Sequence, residues 1–166
     1  MNAAHIHLVV NHVPLFAALF GACLLAIGLL KNERSLKSAG LVLGLVAGLG
    51  GVVAVQSGER AEDVVEAYAG TNEAAIEEHE EAAEVTQWAA ILLGLVSLGA
   101  LLMPKGRDAL RGRAEWLTLA LFVVTLGLVA RTANLGGPIR HPEISASATA
   151  VDVEAGGEED EAGEHR

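Results

Sequence analysis

Polar side chains almost vanish from four stretches of the chain: 13–30, 39–56, 85–103 and 114–135. Each is close to the ~20 residues a helix needs to cross a hydrocarbon layer ~30 Å thick. Their only charges are Arg131 and, at the margin, Glu115. A water-soluble four-helix bundle would show a polar position every third or fourth residue along each run. No such stripe is present. The pattern predicts an all-α polytopic membrane protein, with four transmembrane helices in two antiparallel hairpins. A domain over 1–144 would hold the four spans and an outer helical segment, 57–84. Residues 145–166, rich in Ala, Gly, Ser and acids and without periodicity, read as a disordered acidic tail.

Helix punctuation agrees with this division. Pro104 should stop the third span, because proline cannot continue the backbone ladder. Gly136-Gly137 followed by Pro138 should stop the fourth. In the second run, "GLVLGLVAGLGG", Gly40, Gly44 and Gly48 recur every fourth residue, with Ala47 and Gly51 in a parallel row. Small residues at that spacing let helix backbones approach closely in lipid, so these glycines read as packing. Cys23, the single cysteine, lies within the first run and reads as a small packing residue.

Charge then orients the hairpins. Of the eleven Lys and Arg, seven lie in two short loops: Lys31, Arg34 and Lys37 in one, Lys105, Arg107, Arg111 and Arg113 in the other. The positive-inside rule makes that side cytoplasmic. Both termini and the acidic 57–84 segment then face outward, in a plasma membrane. No basic stretch precedes the first run, so a retained first helix is expected rather than a cleaved signal peptide. The net charge of −10 excludes nucleic acid as a natural partner.

The histidines carry the candidate chemistry. His5, His7 and His12 stand together in "HIHLVVNHVP", just before the first run. His7 and His12 are five residues apart and diverge by about 140° on a regular helix. Pro14 is comfortable in a first helical turn. The regular helix is therefore expected to begin near His12, with residues 5–11 a looser lead-in from which His7 can fold back over the bundle end.

In the outer segment, Gly70 is a break, and Thr71 or Asn72 a plausible cap for a helix running from Glu73 into the third span. On that helix Glu77, Glu80, Glu81 and Glu84 share one face with Glu73 by the 3.6-residue period. His79 falls on the opposite side, among Ala75, Ile76, Ala82, Ala83 and Thr86, and is expected to point inward. His141 follows the fourth span on the same side of the membrane, and His165 sits in the tail. Arg131, in the last turns of the fourth run, must snorkel or pair. Glu59 and Glu62 are possible partners for it, and so is a haem propionate. Arg60 and Arg140 are further propionate candidates.

These features resemble a poorly characterised family of prokaryotic four-helix membrane proteins, classed as a domain of unknown function. The resemblance covers roughly 5–145 and rests on three points. "HLVVNHVP" supplies a His-x4-His-x-Pro opening through His7, His12 and Pro14, although Leu8 stands where the family often has proline. "EEHEEAAE" supplies His79 ahead of the third span. "ANLGG" supplies the Gly-Gly turn. Family members are suspected of binding haem, and some are fused to or neighbour redox domains.

Three functions follow as expectations. The first is a b-type haem protein moving electrons at the outer face. Its axial pair would be His12 and His79, its propionate partners Arg131 and Arg60, and His7 and His141 would be auxiliary. The second is a Cu, Zn or Fe site built on His12 and His79. The third is a cofactor-free structural or accessory subunit. No Ser-His-Asp or Cys-His arrangement is present, so a stand-alone enzyme is not expected. Expected partners are the lipid bilayer, a redox protein and, as a homo-oligomer, further copies of the chain.

Overall fold

A computed structural model describes residues 2–66 and 73–139 of the chain. The expected break at Gly70, the caps at Thr71 and Asn72, and everything from Arg140 onward, including His141 and the acidic tail, lie outside the described residues. Among the described residues five α-helices follow one another: α1 (Ala3–Val10), α2 (His12–Leu30), α3 (Arg34–Glu66), α4 (Glu73–Leu101) and α5 (Asp108–Gly136). A single 3-10 turn, Gly137–Ile139, closes the series. Four helical stretches, with α1 and α2 taken together, are long and apolar enough to cross a membrane. They pack sequentially antiparallel, and α5 returns to α2 to close a four-helix bundle. The chain is a four-span integral membrane protein.

Backbone approach, rather than large side chains, builds the core. The fully buried residues are mostly small, with Leu25, Leu41, Leu93 and Phe122 as the large exceptions. Lipid tails are as apolar as leucine, so close van der Waals contact is what favours helix association in a bilayer. The Gly40–Gly44–Gly48 row serves two neighbours of α3. A Cβ on Gly40 would lie 2.7 Å from the backbone nitrogen of Leu25 on α2, and one on Gly48 would lie 2.8 Å from the carbonyl of Ala90 on α4. Phe122 of α5 enters the slot left by Gly21 and Gly44, tying the second hairpin to the first. Large apolar residues such as Phe16, Phe20, Leu49, Leu95 and Val123 point outward. So does Cys23, which is exposed rather than packed in the bundle as expected.

The helices overrun the hydropathy pattern at one end. With 33 residues, α3 is about 50 Å long at ~1.5 Å per residue, well beyond the hydrocarbon thickness. Its last turns and the first turns of α4 make the 57–84 segment largely two helical extensions of the spans. Against the α3 extension lies α1, which has no fully buried residue of its own. This end carries the histidines and is called the histidine end below. The opposite end holds the two short basic loops and is called the basic end.

Candidate functional site

The first histidines are placed by a helix that begins earlier than expected. The Asn2 side chain caps α1 by accepting the His5 N–H at 2.9 Å. Residues 5–10 are therefore helical, not a loose lead-in. The irregularity sits at Asn11, where one turn separates α1 from α2. Pro14 explains it: proline has no N–H to return to the Val10 carbonyl, so the ladder loses a rung there. The Asn11 Oδ1 is buried without a hydrogen-bond partner at this joint.

The joint separates the fates of His7 and His12. His7 turns into the bundle end. Its Nδ1 lies 3.1 Å from the Ala54 carbonyl and 3.1 Å from the Ser57 hydroxyl, both on α3. A carbonyl can only accept, and Ser57 Oγ already donates to the same carbonyl at 2.9 Å. Assigning the ring proton to Nδ1 satisfies the carbonyl and leaves Nε2 with its lone pair. Gly58 gives the ring its room, since a Cβ there would lie 3.2 Å from His7 Cε1.

His79 reaches a parallel state from another helix. It is half-buried on the inward face of α4, beside the buried Ile76 and Ala82, while Glu77, Glu81 and Glu84 are exposed. The face read from the helical period is the one that packs. The His79 Nδ1 donates to the Thr132 carbonyl of α5 at 2.9 Å. That carbonyl belongs to the closing turns of α5. Thr86 and Thr132 hydroxyls, 2.8 Å apart, pin α4 to α5 just below. Gly136 clears the ring, as a Cβ there would stand 3.0 Å from His79 Cε1. No bond to Nε2 of either ring occurs among the described residues.

The expected partner of His79 lies elsewhere. His12 is exposed, with its Nδ1 turned back to the Leu8 carbonyl one helical turn away at 3.1 Å. Its ring stacks on Phe16 with centroids 6.3 Å apart. The structure thus turns His7 and His79 inward at the same end of the bundle, against α3 and α5 respectively, and places His12 on the outer flank of α2. Proline at 14 and the five-residue spacing were the signals for this division. They show that the two rings diverge, but the spacing alone does not say which one turns inward.

The arginines are less engaged than expected. Arg131 is exposed and forms no ion pair among the described residues, so the expected pairing with Glu59 or Glu62 is not formed. Its long stem lets the charge reach the bundle end without a partner. Arg60 is also exposed and, with Ala3, Ile6 and Ser57, lines a crevice of about 60 Å³ beside His7. Among the described residues no group of three His, Cys, Asp or Glu converges.

The basic end holds a site that the sequence pattern did not single out. Glu115 of α5 is only 4% exposed. Its two carboxylate oxygens meet Lys37 Nζ of α3 and Arg111 Nε, each at 3.3 Å. The margin of an apolar run hid its partner, because Lys37 belongs to the other hairpin.

Compared with family models, curated proteins and solved structures, the chain matches none of the three. The His-x4-His-x-Pro likeness therefore rests on the residues themselves and assigns no family.

Proposed function

We propose that this four-span membrane protein binds a b-type haem at its histidine end and passes electrons there, with His7 and His79 as the axial ligands. The observation that carries the reading is the matched state of the two rings. They come from different helices, reach the same bundle end, and are each held through Nδ1 by a backbone carbonyl. That bond is the usual orienting contact of a metal-ligating histidine, and it directs the Nε2 lone pair outward for coordination. Two imidazoles are what a haem iron requires from a protein, because the porphyrin supplies the remaining ligands. A bare zinc ion takes three or four protein ligands, and the described residues offer no such group.

Room for a macrocycle depends on α1. The crevice beside His7, about 60 Å³, is far too small for a porphyrin. But α1 is a short helix with no fully buried residue, joined to α2 at the Pro14 fault. His7 rides on α1, so admitting a porphyrin would move α1 off α3 and exchange the His7 contacts with Ala54 and Ser57 for iron ligation. Arg60, on the rim of that crevice, and Arg131, one residue before the carbonyl that holds His79, supply positive charge for propionates. His12, on the flank, takes no part in ligation in this reading. His141 is an auxiliary candidate beyond the described residues. The histidine end faces outside, because seven of the eleven Lys and Arg occupy the opposite loops.

The test is the reduced-minus-oxidised absorption spectrum of protein expressed with ample haem. Sharp α and β bands are expected, lost in His7→Ala and in His79→Ala and kept in His12→Ala. Bands lost in His12→Ala but kept in His7→Ala would restore the first histidine expectation. A colourless, well-folded protein defeats the haem reading, and metal analysis of that sample then separates a metal-ion site from a structural subunit. For orientation, protease added to sealed right-side-out cells should remove the chain after Ile144. Cleavage only in inverted vesicles reverses the assignment.

A further inference from the structure

The basic end contains a cleft of about 380 Å³ lined by Asn32, Arg34, Lys37, Asp108, Arg111, Gly112 and Glu115. Three cations and two carboxylates line it, and both α3 and α5 begin beside it. Helix N-termini present unpaired N–H groups and partial positive charge. At the start of α5 no side chain caps them. Glu33 accepts the Ser35 N–H at the start of α3, and Asp108 in the first turn of α5 offsets part of this field, but three cations against two carboxylates leave the lining positive. Glu115 is buried and engages Arg111 through Nε alone, so the outer guanidinium nitrogens remain for another acceptor. Lys37 Nζ spends two of its protons, on Glu115 at 3.3 Å and on Asn32 Oδ1 at 3.2 Å, and keeps a third. Arg34 is exposed and has no ion pair among the described residues. Buried Glu115 thus acts as a post that holds Lys37 and Arg111 in place at the mouth of the cleft.

The rim is apolar. Leu30 is 83% exposed, Leu102 73%, and Trp116, beside Glu115 in sequence, 59%. An exposed tryptophan at the end of a span marks the interfacial layer of a membrane. A lipid with its headgroup in this cleft would meet cations there, and its chains could run along the lipid-facing side chains of the spans.

We infer that this cleft is a binding site for the phosphodiester headgroup of an anionic phospholipid, held by Arg34, Lys37 and Arg111 between the two hairpins. Basic pockets between transmembrane helices are suited to such headgroups. A soluble phosphate ester offers the same charge but makes no use of the exposed apolar side chains at this end. The inference is independent of the haem reading, since the site lies at the other end of the bundle.

The test uses the full-length protein, stripped of lipid in neutral detergent and titrated with phosphatidylglycerol or phosphatidylcholine while bound lipid is counted by native mass spectrometry. Phosphatidylglycerol is expected to bind several-fold more tightly. Arg34→Gln should weaken that preference by about fivefold, the equivalent of about 1 kcal/mol for one cation near an anionic lipid. Arg113→Gln, exposed but outside the cleft, should leave it unchanged. High salt should erode the wild-type preference, which gives a readout that needs no variant. Equal binding of the two lipids, or equal losses in Arg34→Gln and Arg113→Gln, overturns the proposal. Displacement of phosphatidylglycerol by equimolar glycerol phosphate assigns the cleft to a soluble ester and overturns the lipid assignment.

Discussion

The two ends of the bundle solve the same problem in different ways. Each buries polar side chains between helices close to the membrane boundary, and each must satisfy them. At the basic end a charge is met by charges: Glu115 has Lys37 from the other hairpin and Arg111 one turn before it. Both carboxylate oxygens are engaged, and the cluster ties α3 to α5. At the histidine end, rings are met by backbone. His7 and His79 each give one proton to a carbonyl and keep a lone pair uncommitted among the described residues. A satisfied ion cluster holds helices together. Imidazoles that each hold one backbone carbonyl through Nδ1 tie their helices together less firmly. Buried charge at one end thus reads as a clamp, and buried neutral donors at the other as a site.

If that contrast is right, the largest effect belongs to the clamp. Lys37→Met combined with Arg111→Met strands the Glu115 carboxylate in a dry site. Loss of partners from a buried ion costs about 3–5 kcal/mol. Unfolding of the purified protein in mixed detergent should show this as a large drop in stability. Glu115→Leu should cost clearly less, because Lys37 and Arg111 can still reach water. Equal losses would mean that Glu115 is not the buried member on which the cluster depends.

Next in size is the fit of the ring at the histidine end. Gly136→Ala places a Cβ 3.0 Å from His79 Cε1, so either the ring or the closing turn of α5 must shift. Overpacking of this kind costs about 1–3 kcal/mol. The same unfolding assay reads the cost, and any haem spectrum should change along with it. A neutral Gly136→Ala would show that the ring is not held against that turn.

Smaller again are the hydrogen bonds. His79→Ala and His7→Ala each remove one bond to a backbone carbonyl, worth about 1 kcal/mol, and leave that carbonyl with a helical partner. The smallest effect is expected for His12→Ala, within about 0.5 kcal/mol, as for other exposed positions. The ordering separates the two readings of the first helix. A cost for His12→Ala exceeding that for His7→Ala would place His12, not His7, in the bundle end.

Much of the fold is legible without coordinates, because its decisive signal is local. Four apolar runs of bilayer length, stopped by Pro104 and by Gly136-Gly137, need no knowledge of neighbours to be read as spans. Helical period alone places His79 opposite Glu77, Glu81 and Glu84, since a helix imposes 100° per residue on any sequence. The row of glycines in the second run announces close packing, although not that Gly40 would meet α2 and Gly48 would meet α4. Tertiary structure decided which of the first histidines turns into the bundle end. That depends on the rung lost at Pro14, the start of α1 at Ala3 and the groove beside Ser57 and Gly58, none of which is contained in a five-residue spacing. It also decided that Glu115 is buried rather than marginal, because its cation Lys37 is brought to it only when the two hairpins dock. Periodicity and hydropathy report what a residue does on its own helix; partners from another helix exist only after packing, and both polar clusters of this protein are made of such partners.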